Sequence, residues 1–180
     1  MALQNDPTAT YTSYCYDWII NSGTTHYARD RYIFTTYRPV NRLVDNPGRP
    51  KIFVAGIGTV ELRVKVPGST RISPKSRTLV LDNVLHLPHA VCNGFSARLY
   101  RKIHGGGTGK YGGVDAEGLP LWCSEKFGDV SRLVLETNMQ SSGLGVSFLC
   151  PGVQYSIDFN LQIDLAETEE KVPRSVDQQC

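Results

Sequence analysis

From Thr59 to Val66 an apolar side chain recurs at every second position: Val60, Leu62, Val64 and Val66 fall on one face, and Glu61, Arg63 and Lys65 on the other. A period of two is the spacing of a half-buried β-strand. Lys51–Ala55 precedes it as a second β-rich run, so that the Gly56-Ile-Gly58 step joins either a strand pair or one bent strand. Pro67-Gly68-Ser69 closes the run and Ser69–Arg77 reads as a loop. Strand character resumes over Thr78–Leu87 and stops at Pro88.

The same punctuation governs the rest of the chain. Tyr11–Ile20 is aromatic and β-branched and runs into Asn21-Ser22-Gly23-Thr24-Thr25, a strand ending in a tight turn. Arg29–Tyr37 is compatible with a short helical turn or with another strand, and Phe95–Ile103 with a short helix. His104–Gly113 is glycine-rich and reads as a pliant loop. The short apolar segments Arg132–Leu135, Val146–Leu149 and Val153–Phe159 are spaced by turns, as in an all-β barrel or sandwich. The expected architecture is therefore all-β with minor α. It divides into an N-terminal tail (1–13), one β-domain (14–160) and an acidic C-terminal tail or short helix (161–180).

Composition narrows the function classes. No run approaches the eighteen or so apolar residues that span a bilayer, and the N-terminus lacks a basic start followed by an apolar stretch, so a soluble, cytoplasmic protein without membrane partners is expected. The five cysteines are widely spaced with no CxxC pair, which predicts free thiols and no metal. Residues 1–110 hold 15 Lys+Arg against 6 Asp+Glu, and residues 111–180 hold 4 against 11. A basic half invites a polyanion, but no recognisable nucleic-acid module accompanies it, so a nucleic-acid partner is not expected. His86-x-x-His89 straddles Pro88 at a strand end with no third ligand in sight. Gly105–Lys110 lacks the first glycine and the terminal Ser or Thr of a phosphate loop, so no cofactor is expected.

Three segments in order carry a resemblance. Trp18-Ile-Ile-Asn-Ser-Gly-Thr-Thr-His26 resembles the signature of copia-type retrotransposon proteases, an aromatic and two apolar residues before Asp-Ser-Gly with a nearby His. Val54-Ala-Gly-Ile-Gly-Thr-Val-Glu-Leu62 is similar to that family's G-x-G-x-[VI]-x-L strand. Leu79–Pro88 with Cys92–Ser96 behind it is similar to its L-x-x-V-L-Y-V-P … N-L-L-S element. The resemblance implies a closed or partly open retropepsin-like acid-protease β-barrel with a C-terminal extension, related to stand-alone fungal copies. It also implies a homodimer, unless the acidic C-terminal half folds over the cleft and keeps the chain monomeric.

Position 21 decides the chemistry. The family's two carboxylates share a proton and activate water. The amide of Asn21 hydrogen-bonds a water but accepts no proton from it. Natural decay or deliberate replacement would both leave this amide. Thr24-Thr25, Asn93-Gly-Phe95 and the short loop before Lys51 depart from the family pattern too and favour natural loss.

Three functions follow as expectations. One is a cleft repurposed to bind, and further to cyclise or isomerise, an apolar small molecule. Asn21, His26 and Tyr27 would act there as donors or mild acid/base, with Trp18, Ser22, Gly23, Thr24 and a flap-like Gly56, Ile57 and Gly58 shaping the cleft. The second is an inactivated protease, and the third a module binding an extended peptide or protein. The many N-terminal aromatics (Tyr11, Tyr14, Tyr16, Trp18, Tyr27, Tyr32, Tyr37) line a cleft in the first reading and fill core and strands in the plainest one.

Overall fold

The computed structural model describes residues 14–68, 75–109, 112–136, 145–150, 152–154 and 158–161. The expected N-terminal tail 1–13, all of the expected C-terminal tail 161–180 except Leu161, and the run 155–157 lie outside the described residues.

In chain order the strands are β1 (Tyr14–Cys15), β2 (Trp18–Asn21), β3 (Tyr27–Ala28), β4 (Phe34–Asn46), β5 (Arg49–Lys65), β6 (Ser76–His86) and β7 (Asn93–Ser96). Helix α1 (Ala97–His104) follows, then β8 (Gly107–Gly109), β9 (Gly112–Val114), β10 (Pro120–Phe127), β11 (Val130–Leu133) and β12 (Gly145–Val146). Both readings of Arg29–Tyr37 are met in part, since a single 3₁₀ turn at Arg31–Ile33 leads directly into β4. The glycine-rich tract supplies the short antiparallel pair β8–β9. Residues 110–111 within it lie outside the described set.

Ten strands form one mixed sheet in the order β4-β5-β6-β3-β7-β2-β11-β10-β9-β8, and β1 and β12 pair in parallel apart from it. The sheet does not close into a barrel. Near the end of β5 an isolated bridge joins Val64 to Leu135, flanked by Lys65 N–H donating to Val134 O and Glu136 N–H donating to Arg63 O. These contacts fold the two halves of the sheet over one core without a continuous ladder between them.

The alternation in β5 is realised as read. Val60, Leu62 and Val64 are buried while Glu61 and Arg63 are exposed, and Val66 just past the strand is half-buried. Facing them across β6 are Leu79 and Leu81, also buried. Beyond Leu81 the phase changes, because Asp82 and Asn83 together oppose the single Thr59. Asn83 takes a left-handed backbone (φ 54°), a conformation Asn adopts more readily than most residues. This bulge shifts the alternation and brings Val84 onto the main-core face, while Leu85 on the opposite face is buried in a second cluster.

The main core gathers Trp18, Val60, Leu62, Val64, Leu79, Leu81, Phe95 and Trp122 between β5–β6 and the β7-β2-β11-β10 half. Helix α1 packs on it through Tyr100, whose ring meets those of Phe95 and Trp122 edge-on or tilted at 5.5 and 5.4 Å. Its N-terminus is capped by Ser96, whose Oγ accepts from Leu99 N–H at 3.0 Å.

A buried ion pair locks β11 to the start of β2. Asp17 has a fully buried side chain, accepts from Arg132 at 2.7 Å and from Ser147 Oγ at 2.6 Å, while Arg132 Nε reaches Glu125 at 2.6 Å. Removing one member of such a pair strands the other in a dry environment. Asp17→Ala should therefore lower the unfolding free energy by about 3 kcal/mol in urea denaturation. A change under about 0.5 kcal/mol, the level of an ordinary surface substitution, would show that the pair carries no structural weight.

Candidate functional site

The loop at residues 21–26 is positioned by parallel pairing of β2 with β7, with Trp18, Ile19, Ile20 and Asn21 opposite Asn93, Gly94, Phe95 and Ser96. Side chains alternate across β2: Trp18 belongs to the main core and Ile20 packs against it, whereas Ile19 turns to a second cluster with Cys15, Cys92 and Leu149.

Ser96 braces the turn that follows. Fully buried, it donates from Oγ to Gly23 O at 2.5 Å and from its N–H to His26 Nδ1 at 3.1 Å. One serine thus caps a helix and ties down both ends of the loop. The place of Ser96 just ahead of a helical segment is a capping signal.

Asn21 is 5% exposed; its Oδ1 accepts from Gly23 N–H at 3.0 Å, and its Nδ2 has no hydrogen-bond partner among the described residues. A buried orphan donor costs free energy and is uncommon. His26 is 2% exposed and stacks on Phe95 with ring centroids 5.4 Å apart. Burial, helped by the nearby His104 charge, pushes its pKa down to about 4, so at neutral pH it is a neutral brace rather than an acid/base. Tyr27 is 1% exposed, and burial together with the adjoining Cys92 holds its phenol far above the ordinary range. Asn21 and His26 are thus brought together through Ser96, with Tyr27 next to His26 on β3, but all three face the interior.

Ser22 and Thr24 are the exposed members of the loop, and what covers them is the chain's own segment 158–161. Asp158 Oδ1 accepts from Ser22 N–H at 2.8 Å and from Ser22 Oγ at 3.2 Å. Thr24 N–H is shared between Phe159 O and Asn160 Oδ1, each at 3.2 Å, and Thr25 Oγ1 donates to Leu161 O at 3.2 Å. Gly23 makes this approach feasible, since a Cβ there would lie 2.6 Å from Phe159 O. Phe159 sets its ring edge-on to Tyr27 at 4.8 Å, and Leu161, 6% exposed, completes an apolar cluster with Tyr27, Val44, Val54, Ile57, Leu85 and Leu87. Asp158, Asn160 and Leu161 carried no sequence signal pointing to the loop, being 136 residues from their partners Ser22, Thr24 and Thr25.

The glycine step lies elsewhere. Gly56, Ile57 and Gly58 sit within β5, paired on one side with Pro39, Arg38 and Tyr37 and on the other with His86, Leu85 and Val84. They form an interior strand of the sheet instead of a free flap. With neighbouring strands about 4.8 Å apart, four spacings, or ~19 Å along the sheet, separate β5 from β2. Of these three residues, Ile57 shares a buried cluster with Leu161 of the segment over the loop. Glycine is required here because a Cβ at 56 would strike the Tyr37 ring and one at 58 the carbonyl of Thr36. That packing lets Tyr37 OH reach His86 Nδ1 at 2.8 Å while His86 Nε2 meets Arg29 O at 3.1 Å. The network selects the tautomer protonated on Nε2, and burial lowers the His86 pKa.

The aromatics divide among different environments. Tyr14 and Tyr32 meet as a tilted pair with ring centroids 3.9 Å apart, Trp18 and Tyr27 lie in separate core clusters, and Tyr37 packs under Arg31 at 3.7 Å; Tyr11 is outside the described residues. Among the described residues no group of three His, Cys, Asp or Glu stands close enough to hold a metal ion. No helix there is long and apolar enough to cross a membrane.

Residues 18–103, the span from β2 to α1 that builds this loop, match the model of the Pol polyprotein β-barrel domain. The match covers just under half of the chain and supports a Pol-derived domain over that span. No curated protein and no solved structure matches the chain. Within this Pol-derived domain the outer donors of the loop bond to the chain's own segment 158–161.

The buried His26 predicts a pH dependence. Its folded pKa lies below the ordinary 6.5, so the unfolded chain takes up the proton first as pH falls. The contribution to stability is intact above about pH 6.5 and declines toward pH 4, by on the order of 3 kcal/mol. Urea denaturation across that window should show a shallower pH slope in His26→Gln than in the natural chain. Identical slopes would mean that His26 is protonated in the folded state.

Proposed function

We propose that this chain is a non-proteolytic, retropepsin-like Pol derivative whose Asn21-loop face holds an extended polypeptide instead of cutting it. The observation that carries the reading is the seating of Asp158–Leu161 on Ser22, Thr24 and Thr25, through both main-chain and side-chain groups. A loop that once presented a scissile peptide to a carboxylate keeps the donors for binding and lacks the base for hydrolysis. An amide in place of the carboxylate fits a module kept for recognition. The segment over the loop also covers the face through which two such loops would meet, which supports a monomer.

A second reading, binding of an apolar small molecule, is favoured by a separate cavity. About 390 Å³ in volume, it is lined chiefly by Tyr16, Trp18, Tyr32, Ile33, Leu62 and Leu135. Its size and lining suit a small ligand. The cleft at Asn21 offers such a ligand less, since Phe159 and Leu161 fill the apolar space beside it.

Two measurements test the first reading. Incubated with mixed peptides between pH 3 and 7, both the natural chain and Asn21→Asp should release no new N-termini; robust cleavage by the reverted chain would sink the reading. Extended peptides retained by the natural chain on an array should be lost by Gly23→Ala, whose methyl group occupies the space that a bound backbone carbonyl needs. Unchanged retention would move the binding face elsewhere.

A further inference from the structure

We infer that Asp158–Leu161 is a tethered occupant of this face, closing it until a segment of the same chemistry from another protein displaces it. The inference rests on the peptide-holding reading. It adds two things to that reading, the pattern that the face recognises and the element that regulates access to it.

The recognition pattern is written in the strap. Its first residue offers a carboxylate that takes both donors of Ser22. Its second sets an aromatic ring against Tyr27 and turns its carbonyl to Thr24 N–H. The third supplies a side-chain amide oxygen to the same N–H, and the fourth an aliphatic side chain buried with Ile57 and Leu85. A partner segment reading acidic, aromatic, amide, aliphatic satisfies every one of these groups. Reading only main-chain donors would accept any sequence; the Ser22 pair and the two apolar seats make the face selective.

The strap is built to leave. It belongs to no strand of the sheet. Of its five hydrogen bonds to the loop, four use a side chain and only Thr24 N–H to Phe159 O joins two backbones. A segment held mainly by side-chain contacts opens locally without unfolding the sheet beneath it. Ser22 and Thr24 are themselves exposed, so an incoming segment meets free edges of the loop as the strap lifts. Exchange of the strap between two copies keeps the same contacts but forfeits the high effective concentration of the tether, which favours closure within one chain.

The test uses the full chain and a labelled octapeptide of residues 156–163, Ser-Ile-Asp-Phe-Asn-Leu-Gln-Ile, with binding read by fluorescence anisotropy. The double variant Asp158→Ala/Phe159→Ala should bind it at least tenfold more tightly than the natural chain, and a peptide with Asp replaced by Ala should bind that variant at least tenfold more weakly. Equal affinity for natural chain and variant overturns the masking while leaving the face as a peptide site. Absence of binding to both overturns the peptide-holding reading and the masking with it. Hydrogen exchange on the natural chain covers the case in which the variant does not fold. The Ser22 and Thr24 amides should exchange at least tenfold faster than those of Val60 and Leu81, and exchange at the same rate overturns a displaceable strap. Protection of the two amides that grows with protein concentration would assign the strap to a second copy and overturn closure within one chain.

Discussion

The parallel pairing of β2 with β7 is the constraint on which the rest of the structure depends. Parallel strands are stable when both faces are covered, and here both are. Trp18, Ile20 and Phe95 turn to the main core beneath β5 and β6, while Ile19 turns to the cluster of Cys15, Cys92 and Leu149. The pairing sets Asn21 beside Ser96, and from that register follow the capped helix, the tied loop and the neutral, inward-facing His26. A chain that spends its loop residues on this bracing has little freedom left at position 21.

That rigidity reframes the asparagine. In a proteolytic loop the carboxylate must reach water and share a proton with a second carboxylate. Asn21 is buried, bonds back to Gly23 within its own turn and leaves its Nδ2 unpartnered among the described residues. The outward-facing groups are those of Ser22, Thr24 and Thr25, whose amides and hydroxyls bond to the chain's own segment 158–161.

What β5 could become was written in its alternating residues, because a period of two admits only one face to the core. The strand ending at His86 was legible for the same kind of local reason, in its β-rich residues and the proline beyond it, and the segment behind Ser96 was legible as a short helix but not its cap. The bulge at Asp82–Asn83 was not, since two residues facing one is a property of a pair of strands and neither strand states it alone. Nor was the confinement of Gly56–Gly58 inside the sheet. A glycine step reads equally as a flap or as a place where Tyr37 and Thr36 come too close for a Cβ.

The sequence by itself determined the β character, the Pol-like order of motifs and the absence of a catalytic carboxylate at position 21, all of which reside in residue identity and short-range spacing. Only the tertiary structure decided that His26 and Tyr27 are core, that the sheet stays open, and that Asp158–Leu161 lies across the loop. The physical reason is range. Burial shifts a pKa through desolvation by residues distant in sequence, and a contact spanning 136 positions leaves no periodic trace in either partner.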